Sequence, residues 1–118
     1  MKNYTDVLIT GATGMVGKSV LLECLRDNRI KNIYLINRVP VKINSPKIIE
    51  FIVDDFLKVD DLKKDIKNCE ACFHCMGITS FGQNSKYYYK VTYEMTKSLA
   101  DLVYGINPDS IMTYVSGE

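Results

Sequence analysis

Three glycines at three-residue spacing stand in the run Thr10-Gly11-Ala12-Thr13-Gly14-Met15-Val16-Gly17, between a stretch that reads as a strand and one that reads as a helix. Glycines fall at such spacing by chance, so it is the placement on a strand–turn–helix near the N-terminus that points to chemistry. In that setting Gly11 permits a tight turn, Gly14 lets a pyrophosphate approach the backbone, and Gly17 lets helix and strand pack closely. The first turn of the helix offers free N–H groups and the positive end of its dipole to phosphate oxygens. Gly11, Thr13, Gly14, Met15, Val16 and Gly17 therefore form a candidate dinucleotide cradle.

Such a cradle usually has an acidic residue about 20 residues further on, at the end of the second strand, where it binds ribose hydroxyls. Here that place holds Asn37-Arg38, and no carboxylate is expected near it. An arginine there suits a 2′-phosphate, because a guanidinium pairs with phosphate through charge-assisted hydrogen bonds. Lys18, just past the third glycine, would add a second positive charge. The expected cofactor is NADP, with NAD less favoured.

Other constellations carry less. Cys69, Cys72, His74 and Cys75 have a spacing that invites a metal reading. They fall on a stretch that reads as a buried strand, however, where Cys72 and His74 face one way and Phe73 and Cys75 the other. Four tetrahedral ligands do not converge from both faces of a strand, so these cysteines are expected in the core and no metal site is expected. Tyr93 and Lys97 form a Tyr-x-x-x-Lys pair on one helix face, a spacing that chance supplies freely. Tyr87-Tyr88-Tyr89 reads as a packed helix start, and Lys63-Lys64 as a solvated face. No catalytic residue is assigned.

The elements that must position these residues alternate along the chain. Strands are expected at Thr5 to Thr10, Asn32 to Asn37, Ile48 to Val53, Ala71 to Cys75 and Ile111 to Val115. Gly17, Val20, Leu21 and Cys24 repeat at helical spacing and mark a helix from Met15 to Arg26. A short polar-faced helix is expected over Val59 to Ile66. A long one, marked by Val91, Met95, Leu99, Leu102 and Ile106, ends near Gly105 and Pro108. Near-continuous apolar strands separated by helices make a parallel sheet covered on both faces. Right-handed crossovers, with the glycine turn at the switch point, predict the strand order 3-2-1-4-5.

With 118 residues, 47% hydrophobic and 25% charged, the chain has ordinary globular composition and room for one domain. A formal net charge of +1, with scattered Lys and Arg, gives no basic stripe for nucleic acid. No apolar run approaches the span of about twenty residues that a membrane helix requires. The start, Met1-Lys2-Asn3-Tyr4, leads straight into a strand without a signal peptide, and four cysteines then suggest reduced thiols and a cytoplasmic location.

Four segments in this order resemble the short-chain dehydrogenase/reductase superfamily, in its atypical and extended branches, which include Tat-interacting-protein-like reductases and NAD-dependent epimerase/dehydratase relatives. The first is the glycine turn, which matches the superfamily's T-G-A-T-G-x-x-G. Val53-Asp54-Asp55-Phe56 resembles the element after strand three, and the resemblance implies that Asp55 and Phe56 lie at the adenine. Phe73-His74-Cys75-Met76-Gly77-Ile78-Thr79 resembles a C-x-G-x-T strand end, implying that Cys75, Met76 and Gly77 run along the ribose and nicotinamide side. Tyr88-Tyr89-Lys90-Val91-Thr92-Tyr93 resembles a helix-opening Y-x-K-V-D-x, with Thr92 in place of the acid.

The resemblance implies a three-layer Rossmann-type α/β fold and, for whole members, a Tyr-x-x-x-Lys after strand five. This chain reaches Tyr114-Val115-Ser116-Gly117-Glu118 without it. The expectation is thus one NAD(P)-binding domain over 1–118, C-terminally truncated and lacking the later strands and the substrate region. Three readings stay open: the cofactor half of an NADP(H)-dependent oxidoreductase, a non-catalytic dinucleotide-binding sensor or interaction module, or a truncated product with no function of its own. A bare strand-five edge, with Ile111, Met112 and Val115 uncovered, leads us to expect a homo-oligomer.

Overall fold

The structure, a computed structural model, describes residues 4–75 and 85–115, apart from the side chains of 85–89 and 91. Five strands form one parallel sheet in the order β3-β2-β1-β4-β5. They are β1 (Thr5–Thr10), β2 (Ile30–Asn37), β3 (Ile48–Ile52), β4 (Ala71–His74) and β5 (Ile111–Tyr114). The helices are α1 (Met15–Arg26) and α2 (Ser85–Ile106), with a 3-10 segment over Phe56–Asp65 between β3 and β4. The predicted strand order is the one observed.

Alternation along the strands sends side chains into two cores. Val7, Ile9, Ile33 and Leu35 meet Leu21 and Cys24 of α1 on one face. Leu8, Tyr34, Ile36 and Cys72 meet Phe56 and Val59 of the 3-10 segment and Met95, Leu99, Leu102 and Val103 of α2 on the other. Each fully buried side chain of this size contributes about 1.5–3 kcal/mol relative to exposure. That is how a sheet with apolar residues at consecutive positions becomes the middle of three layers.

The ends of several elements differ from the sequence expectation. β2 begins at Ile30, because Thr5 pairs with Ile30 before a register shift between Thr5 and Asp6. The segment expected as a helix from Val59 starts at Phe56 and is 3-10, with non-helical dihedrals at Lys58. The Asp55 carboxylate caps it by accepting from the Leu57 N–H at 2.9 Å. α2 starts at Ser85, just before the tyrosine run read as its start, and the Asn107 N–H still bonds the Val103 carbonyl at 2.9 Å before Pro108 stops the helix.

β5 also departs from expectation. Ile111 is 69% exposed, but Met112 is half-buried against the α2-side core, so only part of this strand is uncovered. Val115 is half-buried as well, and its N–H bonds the His74 carbonyl at 2.9 Å.

Candidate functional site

Parallel strands bring their carboxyl ends to one edge of the sheet. Thr10 pairs with Ile36 on one side and His74 on the other, Asn37 pairs with Ile52, and His74 pairs with Tyr114. The chain reverses its direction of winding between β1 and β4, and in open α/β sheets that switch point is where a ligand crevice forms.

The glycine turn stands at this point. Gly11 has φ 71°, the left-handed region that favours glycine. Its carbonyl accepts from the Gly14 N–H at 3.2 Å, closing the turn. Gly17 is buried, and a Cβ there would lie 2.0 Å from the Gly11 carbonyl oxygen, so only glycine lets α1 sit this close to the turn. Gly14 is different. It is the N-cap of α1 in extended conformation, without a side-chain cap, and a Cβ would meet only the Gly11 oxygen at 3.6 Å. Space is therefore open in front of an uncapped helix start, with Thr13, Gly14 and Met15 exposed and Val16 half-buried behind them. Such a cradle fits a phosphate group.

The end of β2 holds a hydrogen-bond relay. Asn37 is 1% exposed. Its Oδ1 accepts from the Ala12 N–H inside the glycine turn at 3.1 Å, and its Nδ2 donates to Glu50 Oε2 at 2.8 Å. The same Glu50 oxygen accepts from the Val41 N–H at 3.0 Å. A carboxylate therefore does stand at this corner, contrary to the sequence reading, because β3 delivers it across the sheet. The pairing of Leu35 with Glu50 was the signal, and it exists only once β2 and β3 are in register.

Arg38, the next residue, is exposed, and its guanidinium carbon lies 5.9 Å from the centroid of the buried Phe56 ring. Asp55, beside Phe56, is exposed and caps the 3-10 segment. Arg38, Asp55 and Phe56 thus come together beside the glycine turn's flank of the sheet. Lys18 is exposed on the first turn of α1.

At the end of β4, Cys75 is half-buried, and its N–H donates to the Thr10 carbonyl at 3.2 Å. Met76 and Gly77 lie outside the described residues, as do Ile78, Thr79 and Ser116. His74 is buried, with Nδ1 2.6 Å from Thr10 Oγ1 and its ring edge-on to Tyr114 at 5.2 Å. Burial lowers its pKa from 6.5 to about 4, keeping the ring neutral. Its Nε2, like Thr92 Oγ1, has no partner among the described residues.

The cysteines are core groups. Cys72 packs into the α2-side core, while Phe73 and Cys75 join the α1 side. Burial pushes the Cys24 and Cys69 thiols up to about 11 and raises Cys72 and Cys75 as well, which opposes thiolate chemistry. Tyr93 is 66% exposed on α2, and Lys97 pairs there with Asp101 at 3.2 Å. Tyr87 to Tyr89 fall within α2, but their side chains lie outside the described part.

Among curated proteins none matches the chain. Solved structures with the same fold include a mutant uronate dehydrogenase from Agrobacterium tumefaciens complexed with NAD. It is 19% identical with a TM-score of 0.70, over 97% of this chain and 41% of that one. An epimerase from Methanothermobacter thermautotrophicus is 15% identical with a TM-score of 0.74, over 96% and 35%. A short-chain dehydrogenase from Leptospira borgpetersenii with bound NAD+ is 16% identical with a TM-score of 0.71, over 95% and 51%. The chain spans about half or less of the length of each of these proteins. The family model described as the NAD dependent epimerase/dehydratase family matches residues 7–118, so this chain belongs to that family.

Proposed function

We propose that residues 1–118 act as the dinucleotide-binding part of an oxidoreductase or epimerase of this family, holding NADP on the glycine turn. The observation that carries the reading is the uncapped α1 N-terminus behind Gly14, open in front and braced by Gly11 and Gly17. In this reading the turn residues Gly11, Thr13, Gly14, Met15, Val16 and Gly17 take the pyrophosphate. Asn37 positions the turn, Asp55 and Phe56 meet the adenine end, and Cys75, Met76 and Gly77 follow the nicotinamide ribose. The bound dinucleotide would supply hydride transfer; the protein's part is to bind and orient it.

Arg38 supports NADP over NAD. Its guanidinium is held near Phe56 with no carboxylate partner among the described residues, which supports a role in binding a 2′-phosphate. The family match and the NAD-bound neighbours support a dinucleotide of either kind. Calorimetry with both cofactors on wild type and Arg38→Ala tests the preference. The charge-assisted contact should favour NADP by about 1.5–3 kcal/mol in the wild type and vanish in the variant. Equal wild-type affinities would remove Arg38 from the site. A non-catalytic binding module is the second reading; Tyr93 is exposed and Lys97 pairs with Asp101 at 3.2 Å, so this Tyr-x-x-x-Lys supports no catalytic role.

We further propose a reducing, cytoplasmic setting, supported by four free cysteines. A second copy of the chain is the partner we propose for the β5 edge, on the support of its exposed Ile111 and Tyr114.

A further inference from the structure

We propose that Glu50 is a specificity-determining positioning residue: its carboxylate holds Asn37 on the glycine turn and bars an acid from position 37. The inference rests on the reading that the glycine turn binds a dinucleotide.

The geometry of one carboxylate oxygen carries the argument. Glu50 Oε2 accepts from Asn37 Nδ2 at 2.8 Å and from the Val41 N–H at 3.0 Å. Two donors on one anionic oxygen make a charge-assisted pair of bonds. The first of them fixes which way round the Asn37 amide lies. With Nδ2 on Glu50, only Oδ1 is left for the Ala12 N–H, which it accepts from at 3.1 Å. The turn is thereby tied to β3 through a buried amide that must be an amide, since it donates on one side and accepts on the other. The second bond sets the chain's course after Arg38. Val41 is followed by Lys42 at φ 59°, a left-handed conformation that a non-glycine residue holds only when its surroundings impose it. The bond from Val41 to Glu50 is one such constraint, and Arg38 lies between the two anchored residues, Asn37 and Val41.

This arrangement forbids the residue that the glycine turn ordinarily takes from the end of β2. An aspartate side chain at position 37 would put its carboxylate against that of Glu50, where an amide now donates at 2.8 Å. Like charges so close disfavour ionisation of both, and an acid that shares a proton with Glu50 is a poor acceptor for ribose hydroxyls. Cofactor choice at this corner is thus set jointly by positions 37 and 50, on two strands.

The test is a double-mutant cycle on the chain: wild type, Asn37→Asp, Glu50→Gln, and both together. NAD and NADP affinities are measured by calorimetry, and melting temperature is followed from pH 5 to 8. In the double variant the amide introduced at position 50 donates to the carboxylate introduced at position 37, which restores that bond in reverse, while the Val41 N–H gives up the oxygen it shared in the wild type. Asn37→Asp alone should leave the NAD-to-NADP affinity ratio near wild type and should lose melting temperature as pH rises. The double variant should regain melting temperature and shift the ratio toward NAD by at least about tenfold, the scale of coupling between contacting residues. If Asn37→Asp fails to fold while the double variant folds, the charge conflict is shown directly. An equal shift toward NAD in Asn37→Asp with Glu50 intact overturns the proposal, as does a failure to fold shared by the single and the double variant that carry Asn37→Asp. A wild type that binds neither cofactor instead defeats the functional reading itself, and with it this extension.

Discussion

Gly14 and Gly17 are three residues apart, yet the structure gives them opposite liabilities. A Cβ at Gly17 would lie 2.0 Å from the Gly11 carbonyl oxygen, which is backbone and cannot swing away. A Cβ at Gly14 meets nothing closer than 3.6 Å. Gly17→Ala should therefore lower the melting temperature, at a cost of about 1–3 kcal/mol from overpacking. Gly14→Val should keep near-native circular dichroism while losing nucleotide binding in calorimetry, because its side chain fills the space proposed for the pyrophosphate. Retained binding in Gly14→Val would move the cofactor site elsewhere. His74 adds a pH dependence. Burial lowers its pKa from 6.5 to about 4, so between those values the unfolded chain binds a proton that the folded chain refuses. Stability is full above about pH 6.5 and is lost as pH falls toward 4, by up to about 3 kcal/mol. His74→Gln should flatten that part of the profile of melting temperature against pH. A profile unchanged by the substitution would assign the acid sensitivity to other groups.

At the scale of elements, the loop between β2 and β3 works on both of its neighbours. Lys47, one residue before β3, reaches across to the C-terminal end of α1, where its Nζ donates to the Leu25 carbonyl at 3.2 Å and the Asp27 carbonyl at 3.0 Å. The last carbonyls of a helix have no partners within it, and a cation there also meets the negative end of its dipole. The backbone of Lys47 is held as well: its carbonyl accepts from the Ile33 N–H at 2.8 Å. Lys47→Met keeps much of the apolar stem and removes the two donors. It should destabilise the chain by about 1–3 kcal/mol, measured by urea unfolding with an unchanged slope. A loss below about 0.5 kcal/mol, the level of an ordinary surface change, would mean that water replaces the ammonium at no cost.

At the scale of the whole sheet, the described residues have two outer strands with different surfaces. β3 ends the sheet beside β2 and carries the exposed Ile49 and Ile52, with Glu50 between them turned to Asn37. β5 ends it beside β4, with Ile111 69% and Tyr114 43% exposed. Apolar residues along an outer strand favour pairing with another chain, and charge opposes it. The self-association proposed for β5 should therefore weaken in an Ile111→Lys, Tyr114→Lys double variant. Met112 is the wrong place for such a probe, because it packs into the core. Sedimentation equilibrium reads the outcome, and a specific interface should bury at least about 1,000 Å². A monomer in both forms would leave the edge without a partner of its own kind.

Local chemistry determined the strand order and the glycine turn. The apolar runs Val7 to Ile9 and Ile33 to Ile36 have few ways to be buried except in a covered parallel sheet, and the helical stripe of Gly17, Leu21 and Cys24 needed only its own periodicity. The start of α2 was legible from the tyrosine run at Tyr87, close to the observed Ser85, although its first turns carry no clear apolar stripe. The 3-10 form of Phe56–Asp65 was hidden, because the Asp55 cap and the docking of Phe56 and Val59 set its ends. Only tertiary structure could place Glu50 at Asn37 or His74 at Thr10. Residues 13 and 64 positions apart meet through strand register, a long-range property that no local pattern encodes. The glycine turn could thus be read from eight consecutive residues, whereas the network that braces it needed three strands side by side.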